Sequence, residues 1–331
     1  MYGNFDIKGI SGKVTVILIL GIIVMSYRAE AQNRGRFLPY SSVGFGVGTS
    51  NYYGDMAAYS RPIASTFNMM RWSVGANYTR HFTPRLAARA TFTWARIAGD
   101  DYVMNHKGKY LGNSYFVRNL NFRNDLKEFS IQGIYKLTPD NRSADRRPQF
   151  GAYLFAGVGI VAHNPKASYV DTTGKKEWIK LQAQHTEGQG TEGYAKPYSL
   201  VSVVIPFGIG LRYKINAKFD ISAELGFRYT FSDYLDDVGG NNADPAVFQD
   251  PTALSLAYRY GEPTTARKGH DRTPGLQKFF NAPDAASLSA ALATVNPFSM
   301  PRGNSYKDTY MTGMIHIHYI LPAKIKCPPL K

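Results

Sequence analysis

The strongest constraint on the fold is an unbroken alternation of apolar and polar residues from Asp220 to Ser232. Apolar side chains occupy every second position, from Ile221 through Leu225 to Phe231, and polar or small residues fill the positions between them. A period of two places the two sets on opposite faces of a β-strand. A water-soluble sheet would bury the apolar face, whereas a transmembrane barrel turns it toward lipid and keeps polar groups in the lumen.

Eight segments of the chain share this alternation. Each is long enough for the roughly 9–11 residues that cross a bilayer as a tilted strand. An even number of strands suits the closure of an antiparallel up-and-down barrel. The segments run from about 40 to 49, 68 to 80, 85 to 97, 126 to 138, 149 to 162, 199 to 214, 220 to 232 and 309 to 321.

The connections between these segments alternate in length. Those after the second, fourth and sixth segments are short, and the other four are long, the last spanning about 233–308. Outer-membrane barrels have short periplasmic turns and long surface loops. The sequence therefore predicts an all-β fold, an eight-stranded antiparallel transmembrane β-barrel. A soluble lipocalin-like barrel is the alternative, but the polar face is too small and too rich in glycine for a solvated surface.

The longest connection predicts structure of its own. The stretches 251–260 and 284–294 are typical of short helices, and Asp284 is a suitable N-cap for the second. A surface loop of this length is usually functional or mobile. It is expected to cap the barrel or to meet a partner, and a role as a surface adhesin is a further possibility.

The N-terminal residues 1–31 predict a secretory signal peptide. Lys8 and Lys13 precede an apolar run at 14–25, and Ala29-Glu30-Ala31 is a small-x-small cleavage site. A membrane-anchoring helix is the alternative, but the apolar run is short for a span. The expected organisation is a signal peptide at 1–31, an outer-membrane barrel at 32–321 and a basic periplasmic tail at 322–331.

Composition agrees with export to the cell outer membrane of a Gram-negative bacterium. The chain has 23 Tyr and 19 Phe, which suit β-strands and the aromatic girdles of membrane interfaces. Its single cysteine, Cys327, excludes an internal disulfide. The formal net charge is +15. In an exported protein such charge favours outer-membrane lipid, lipopolysaccharide phosphates or an acidic periplasmic partner over nucleic acid.

A charge network is predicted inside the barrel. The interior of an eight-stranded barrel is just wide enough for its own side chains, and buried charges are tolerated when they are paired. The pattern favours a salt-bridged plug; a selective ion pathway is the alternative and would require a wider pore. The inward-facing charged residues are Arg89, Glu128, Lys136, Arg212, Glu224 and Arg228.

Two short patterns resemble ligand motifs only superficially. Residues 44–48 read Gly-Phe-Gly-Val-Gly, which is similar to a dinucleotide-binding loop, but they lie inside a predicted strand with no helix after it. His316 and His318 face the same way and could begin a zinc site, but no third ligand is evident. Packing and hydrogen bonding in the lumen are the favoured interpretations.

An acidic cluster follows the seventh predicted strand. Asp233, Asp236 and Asp237 lie close to two glycines, and oxygen ligands at such spacing could hold calcium. The Asp-x-Asp-x-Asp-Gly loop and its distal Glu are absent, so a solvated turn is favoured. Neither a catalytic triad nor a phosphate loop stands out. We therefore expect a protein that is not an enzyme and that holds no metal or cofactor.

With a barrel predicted, several motifs resemble those of PorG-like proteins of Bacteroidetes. The Arg118–Asn124 stretch, Arg-Asn-Leu-Asn-Phe-Arg-Asn, is the most specific of them. The resemblance covers most of the chain after the signal segment. It also includes residues 41–55, 98–101, Glu128, 232–238 and 324–328.

The resemblance implies a non-enzymatic component of the type IX protein secretion system, which supports gliding motility in some species. It implies a barrel that anchors or positions periplasmic rings built from the PorK/GldK lipoprotein and PorN/GldN. It supplies no catalytic or binding residues. A small-solute channel or ligand-binding barrel of the OmpW-like type is the competing hypothesis.

Ring proteins below the outer membrane would meet the short turns and the tail. Basic residues there could steer and dock an acidic ring surface, in contacts that weaken with salt. Generic solubilising charge is the alternative interpretation. The candidate partner residues are Arg142, Arg146, Arg147, Lys324 and Lys326.

Overall fold

The computed structural model describes residues 37–57, 62–104, 114–170, 173–295, 302–303 and 306–322. The predicted signal peptide, the tail from residue 323 onward, and with it Lys324 and Lys326, lie outside the described residues. The described strands are β1 (Tyr40–Tyr53), β2 (Arg71–His81), β3 (Leu86–Asp100), β4 (Asn121–Lys136), β5 (Phe150–Ala162), β6 (Lys166–Val170), β7 (Lys176–Lys180), β8 (Val201–Lys214), β9 (Phe219–Thr230) and β10 (Thr309–Leu321). The described α-helices are α1 (Pro62–Asn68), α2 (Asp101–Met104), α3 (Ser114–Arg118), α4 (Pro251–Ala257), α5 (Thr273–Phe280) and α6 (Ala285–Ala293).

Eight of these strands close into a barrel. The order around the wall is β1, β2, β3, β4, β5, β8, β9 and β10, and β10 pairs back with β1. All neighbours are antiparallel. The β6–β7 hairpin extends from the start of β4, at the long-loop end of the barrel, where Arg123 lies opposite Lys166. The predicted eight-stranded antiparallel barrel is confirmed.

The wall of the barrel has the inverted polarity of a membrane protein. Outward side chains such as Phe45 and Leu211 are 60% and 66% exposed, whereas inward Glu128 is 1% exposed. Apolar groups therefore cover the outside, and polar groups fill the inside. The soluble lipocalin-like alternative is wrong, because such a barrel would expose its polar face to water. None of the described helices is both long enough and apolar enough to cross a membrane.

The glycine-rich part of β1 gives room to two imidazoles. Gly44 and Gly46 lie directly opposite His318 and His316 on β10. A Cβ added to Gly46 would lie 2.1 Å from a ring atom of His316. The glycines are therefore required by close approach inside a narrow lumen, as the packing interpretation of this motif anticipated.

The long connections contain more structure than the sequence predicted. β1 and β3 continue past their predicted ends at residues 49 and 97, so the wall rises above the apolar belt. Helices α4 and α6 lie within their predicted ranges, and Asp284 forms a capping box with Ser287. Helix α5 and the β6–β7 hairpin were not predicted, because segments of five to eight residues give too little periodicity.

Candidate functional site

Two ion pairs fill the middle of the lumen. Two guanidinium nitrogens of Arg89 on β3 donate hydrogen bonds to the carboxylate of Glu224 on β9, and the bond from Nη2 to Oε2 is 3.1 Å long. The Tyr153 hydroxyl donates to the same carboxylate at 2.6 Å. Across the lumen, Arg228 Nε donates to Glu128 Oε2 at 3.1 Å. These pairs satisfy buried charges that would be costly alone.

The remaining two charged residues of the predicted network, Lys136 and Arg212, share a carboxylate that the sequence did not reveal. Asp140 lies in the turn after β4, and its side chain enters the lumen at the short-turn end of the barrel. It accepts hydrogen bonds from Lys136 and from Arg212 Nη2, the latter at 2.7 Å, and from the Tyr40 hydroxyl at 2.6 Å. Burial alone would raise the pKa of Asp140, but the two cations hold this pKa well below its usual range.

Arg147, predicted as a periplasmic docking residue, is instead a structural residue. It is 3% exposed and holds Asp220 with two guanidinium nitrogens, Nη2 at 2.8 Å and Nε at 3.1 Å. It also donates to the carbonyls of Ala144, Asn216 and Ala217. The guanidinium therefore joins the turn after β4 to the turn after β8 and is unavailable to a partner. Its neighbours Arg142 and Arg146 are exposed.

Little space remains between these pairs. A cavity of about 40 Å³ lies among the inward side chains of His81, Lys136, Tyr153, Arg212 and His318. A single water molecule needs at least about 10–15 Å³ by this measure. The cavity therefore has room for a few waters and is too small for a solute.

A cap made from the long loops covers the other end of the barrel. Its hydrophobic core joins β1, β3 and β4 to residues of all four long connections, which fold over the barrel mouth. Of the segments that resemble PorG-like motifs, 98–101, 118–124 and 232–238 contribute to this cap, whereas 324–328 lies outside the described residues. Its buried core residues include Tyr52, Met56, Leu120, Phe122, Leu181, Leu235, Val238 and Leu256.

Two buried arginines hold the cap together. Arg118 donates hydrogen bonds to the Asp101 carboxylate from Nε at 2.8 Å and from Nη2 at 2.7 Å. It also donates to the Arg302 carbonyl. Arg302 donates to Glu187 Oε1 at 3.1 Å and to Thr186 Oγ1 at 2.7 Å. Segments far apart in sequence are thus fixed by charge-assisted hydrogen bonds.

The acidic cluster after β9 is buried, so the prediction of a solvated turn is wrong. The Tyr52 hydroxyl contacts Asp236 Oδ2 at 2.5 Å and Asp308 Oδ1 at 2.7 Å. Burial, followed by the charges of Asp308 and Asp55, raises the pKa of Asp236 well above its ordinary value, and burial also raises the pKa of Asp308. One hydroxyl proton cannot serve two carboxylates, so we infer that one of the acids is protonated.

The other two members of the cluster point elsewhere. Asp237 accepts from the Tyr198 hydroxyl at 2.6 Å and from Thr186, and Arg302 lies 3.6 Å away. Burial raises the pKa of Asp237 to about 7 although these neighbours favour its charged form. Asp233 lies 3.7 Å from Lys307. The three carboxylates do not converge, and no metal-binding group of three His, Cys, Asp or Glu occurs among the described residues.

The paired histidines of β10 face the lumen. His318 Nε2 is 2.9 Å from the Ser222 hydroxyl, and the rings of His316 and His318 lie 5.7 Å apart. This geometry fits the hydrogen-bonding interpretation of the pair. In the described part of the chain, no third residue joins them as a metal ligand.

The sequence also matches a known family. A family model described as "Domain of unknown function (DUF6089)" matches residues 13–251, more than two thirds of the chain. The chain belongs to this family. The match to the DUF6089 model ends inside the last long loop, so the α5–α6 region and β10 lie beyond it. No curated protein matches the chain.

Several solved outer-membrane proteins are similar to this DUF6089 chain at low identity. Ail of Yersinia pestis is 11% identical with a TM-score of 0.35, covering 86% of this chain and 99% of its own. Neisserial surface protein A (NspA) is 9% identical with a TM-score of 0.35, covering 84% and 96%. OprG of Pseudomonas aeruginosa is 8% identical with a TM-score of 0.32, covering 87% and 98%. The strand pairing described above establishes the barrel independently of these likenesses.

The buried pair at the periplasmic end gives a stability prediction. Arg147→Gln should lower the free energy of unfolding by about 1.5–3 kcal/mol, because buried Asp220 would lose two charge-assisted hydrogen bonds and keep only Arg212, whose Nε lies 3.8 Å away. Arg146→Gln, one residue earlier and exposed, is the matched control and should change stability by less than about 0.5 kcal/mol. Urea unfolding in detergent, followed by the heat-dependent gel shift, measures both. Equal stability of the two variants would contradict the structural role of Arg147.

The cap should respond to pH through Asp237. Because its folded-state pKa of about 7 lies above the unfolded value of roughly 3.9, its stabilising contribution is complete below about pH 4 and is lost as the pH rises to 7. Resistance of the loops to limited proteolysis should therefore fall over this range. Asp237→Asn should weaken the dependence without abolishing it, because burial also raises the pKa values of Asp233, Asp236 and Asp308. Glu192→Gln on the exposed loop surface should leave the dependence unchanged. An unchanged pH profile in Asp237→Asn would show that another group controls the cap.

Proposed function

We propose that this DUF6089 protein is a non-enzymatic structural barrel of the outer membrane, and that it belongs to the type IX secretion system. One observation supports the structural role above all others. Each of the six predicted lumen charges has a partner of opposite charge, in Arg89–Glu224, in Arg228–Glu128 or in the group where Lys136 and Arg212 share Asp140. A barrel filled in this way resists deformation and offers no solute path.

The assignment to type IX secretion is supported by the motif resemblance. The segments that carry it include Arg118, Asp101 and Asp236, which form the buried framework of the cap. They therefore specify a fold at the barrel mouth rather than a reaction centre. In this proposal the barrel anchors or positions the periplasmic rings of PorK/GldK and PorN/GldN, and its contacts with them lie on the short-turn end.

The competing function, an OmpW-like channel or ligand-binding barrel, makes a different prediction for conductance. The purified protein in planar bilayers should show no stable single-channel current, because ion pairs close the lumen. Arg89→Ala with Glu224→Ala removes the central pair without leaving an unpaired charge, and small currents are expected only in this double variant. A stable current from the unmodified protein that changes in Arg228→Ala would favour the channel.

With Arg147 buried, the docking hypothesis keeps Arg142 and Arg146, together with Lys324 and Lys326 outside the described residues. These exposed arginines lie in the turn after β4, and their replacement by Ser should reduce co-purification of ring proteins while leaving the heat-dependent gel shift unchanged, because contacts of opposite charge are lost. The matched control is Lys196→Ser with Lys268→Ser, which removes the same charge from exposed positions in the long loops. Mass spectrometry of the detergent-purified complex measures recovery.

Two outcomes would contradict these proposals. Unchanged recovery of ring proteins in the Arg142/Arg146 variant would exclude electrostatic docking at this turn. Normal export of secreted cargo after clean deletion of the gene would exclude the role in type IX secretion itself.

A further inference from the structure

A row of cations lies on the outer wall of the barrel, above the apolar belt on the side of the long loops. Arg123 and Lys127 on β4 face outward, as do Phe129 and Ile131 further down the strand, which are exposed. Arg123 lies opposite Lys166 on β6, and Lys166 lies opposite Lys180 on β7. We call Arg123, Lys127, Lys166 and Lys180 the outer basic row.

The outer basic row is only partly neutralised, because Asp125, whose charge acts on Arg123 and Lys166, is already paired with Arg96. In the described ranges of the chain, none of its four residues forms a salt bridge; the nearby Asp125 is held by Arg96, at 2.5 Å and 2.9 Å. Like charges directly opposite on neighbouring strands destabilise a sheet. Inside the lumen every predicted cation has a carboxylate partner. The row therefore retains an electrostatic cost that an external anion would relieve.

Aromatic side chains fix this row and place it at a membrane surface. The Arg123 guanidinium stacks over Trp178 at 3.9 Å, and its Nε is buried without a hydrogen-bond partner among the described residues. Lys127 lies opposite Trp94, which packs edge-on against Trp72 at 5.0 Å. Tryptophan is typical of the interface between lipid and water.

The spacing along β4 suits a lipid whose anionic groups lie at more than one height. Lys127 is two residues above Phe129, or about 6.6 Å along the strand, and Arg123 is four residues higher. Acyl chains against Phe129 and Ile131 would thus place a headgroup beside Lys127. A second anionic group further from the membrane would meet Arg123, Lys166 and Lys180.

We propose that the outer basic row binds the phosphates of a phosphorylated glycolipid in the outer leaflet. Charge complementarity and continuity with the apolar belt both select a lipid over a soluble anion. The proposal goes beyond the function proposed above, since it requires the barrel to lie in a membrane but requires no secretion partner. Its failure would therefore leave the secretion hypothesis untouched.

Tryptophan fluorescence tests the proposal directly, because Trp72, Trp94 and Trp178 are the three tryptophans of the chain and all lie near the row. The full chain, folded in zwitterionic detergent micelles, is titrated with diphosphoryl lipid A. A saturable change in emission is expected, with affinity that weakens as salt rises. Lys127→Gln with Lys166→Gln and Lys180→Gln should weaken the apparent affinity at least about ten-fold, the equivalent of ~1.4 kcal/mol.

The matched control replaces Lys196, Lys268 and Lys278, three exposed lysines of the long loops, by Gln and should titrate like the unmodified protein. Both triple variants must show the normal heat-dependent gel shift, and Lys127→Gln alone provides a milder second variant. Dephosphorylated lipid A, with the same acyl chains, should give no saturable change. An equal response to it, or unchanged affinity in both row variants, would overturn the proposal. Full reproduction of the change by millimolar inorganic phosphate would assign the row to a free anion and would also overturn it.

Discussion

The rest of the structure depends on the pairing of charges inside a lumen that only side chains can fill. Lipid outside the wall excludes polar groups from that face, so a charged residue at the depth of the apolar belt must point inward and find a partner. Arg89 with Glu224 and Arg228 with Glu128 meet this demand across the barrel. A shift of strand register by one residue would turn each of these charges toward lipid. The ion pairs therefore select the register as well as closing the lumen.

The ends of the barrel meet the same demand with residues from turns and loops. At the short-turn end, Asp140 and Arg147 leave their turns and enter the lumen to complete charges on β4, β8 and β9. At the other end, the long loops bury Asp236 and Asp308, and both carboxyls contact the Tyr52 hydroxyl. The ion pairs of the lumen and those of the cap together close the barrel at both ends, which suits a structural component better than a conduit.

The outer wall follows the opposite rule above the apolar belt. Arg96 there pairs with Asp125, but the four cations of the outer basic row form no salt bridge among the described residues. The Arg123 guanidinium is held in place there by stacking on the ring of Trp178. The cations of the lumen stabilise the fold through their carboxylate partners. The cations of the outer basic row form no such pairs and are therefore available to a ligand.

The sequence by itself determined the barrel, its strand number, the orientation of its faces and the six lumen charges, because a period of two is a local property of each strand. It also located α4 and α6, the latter with its N-cap Asp284. It did not determine the partners of those charges. Asp140, Arg147 and Asp236 resemble solvated turn residues in sequence, and only closure of the barrel and folding of the loops bury them. Burial is set by what approaches from distant parts of the chain, so the tertiary structure alone decided which charged residues face a partner inside the protein and which face the outside.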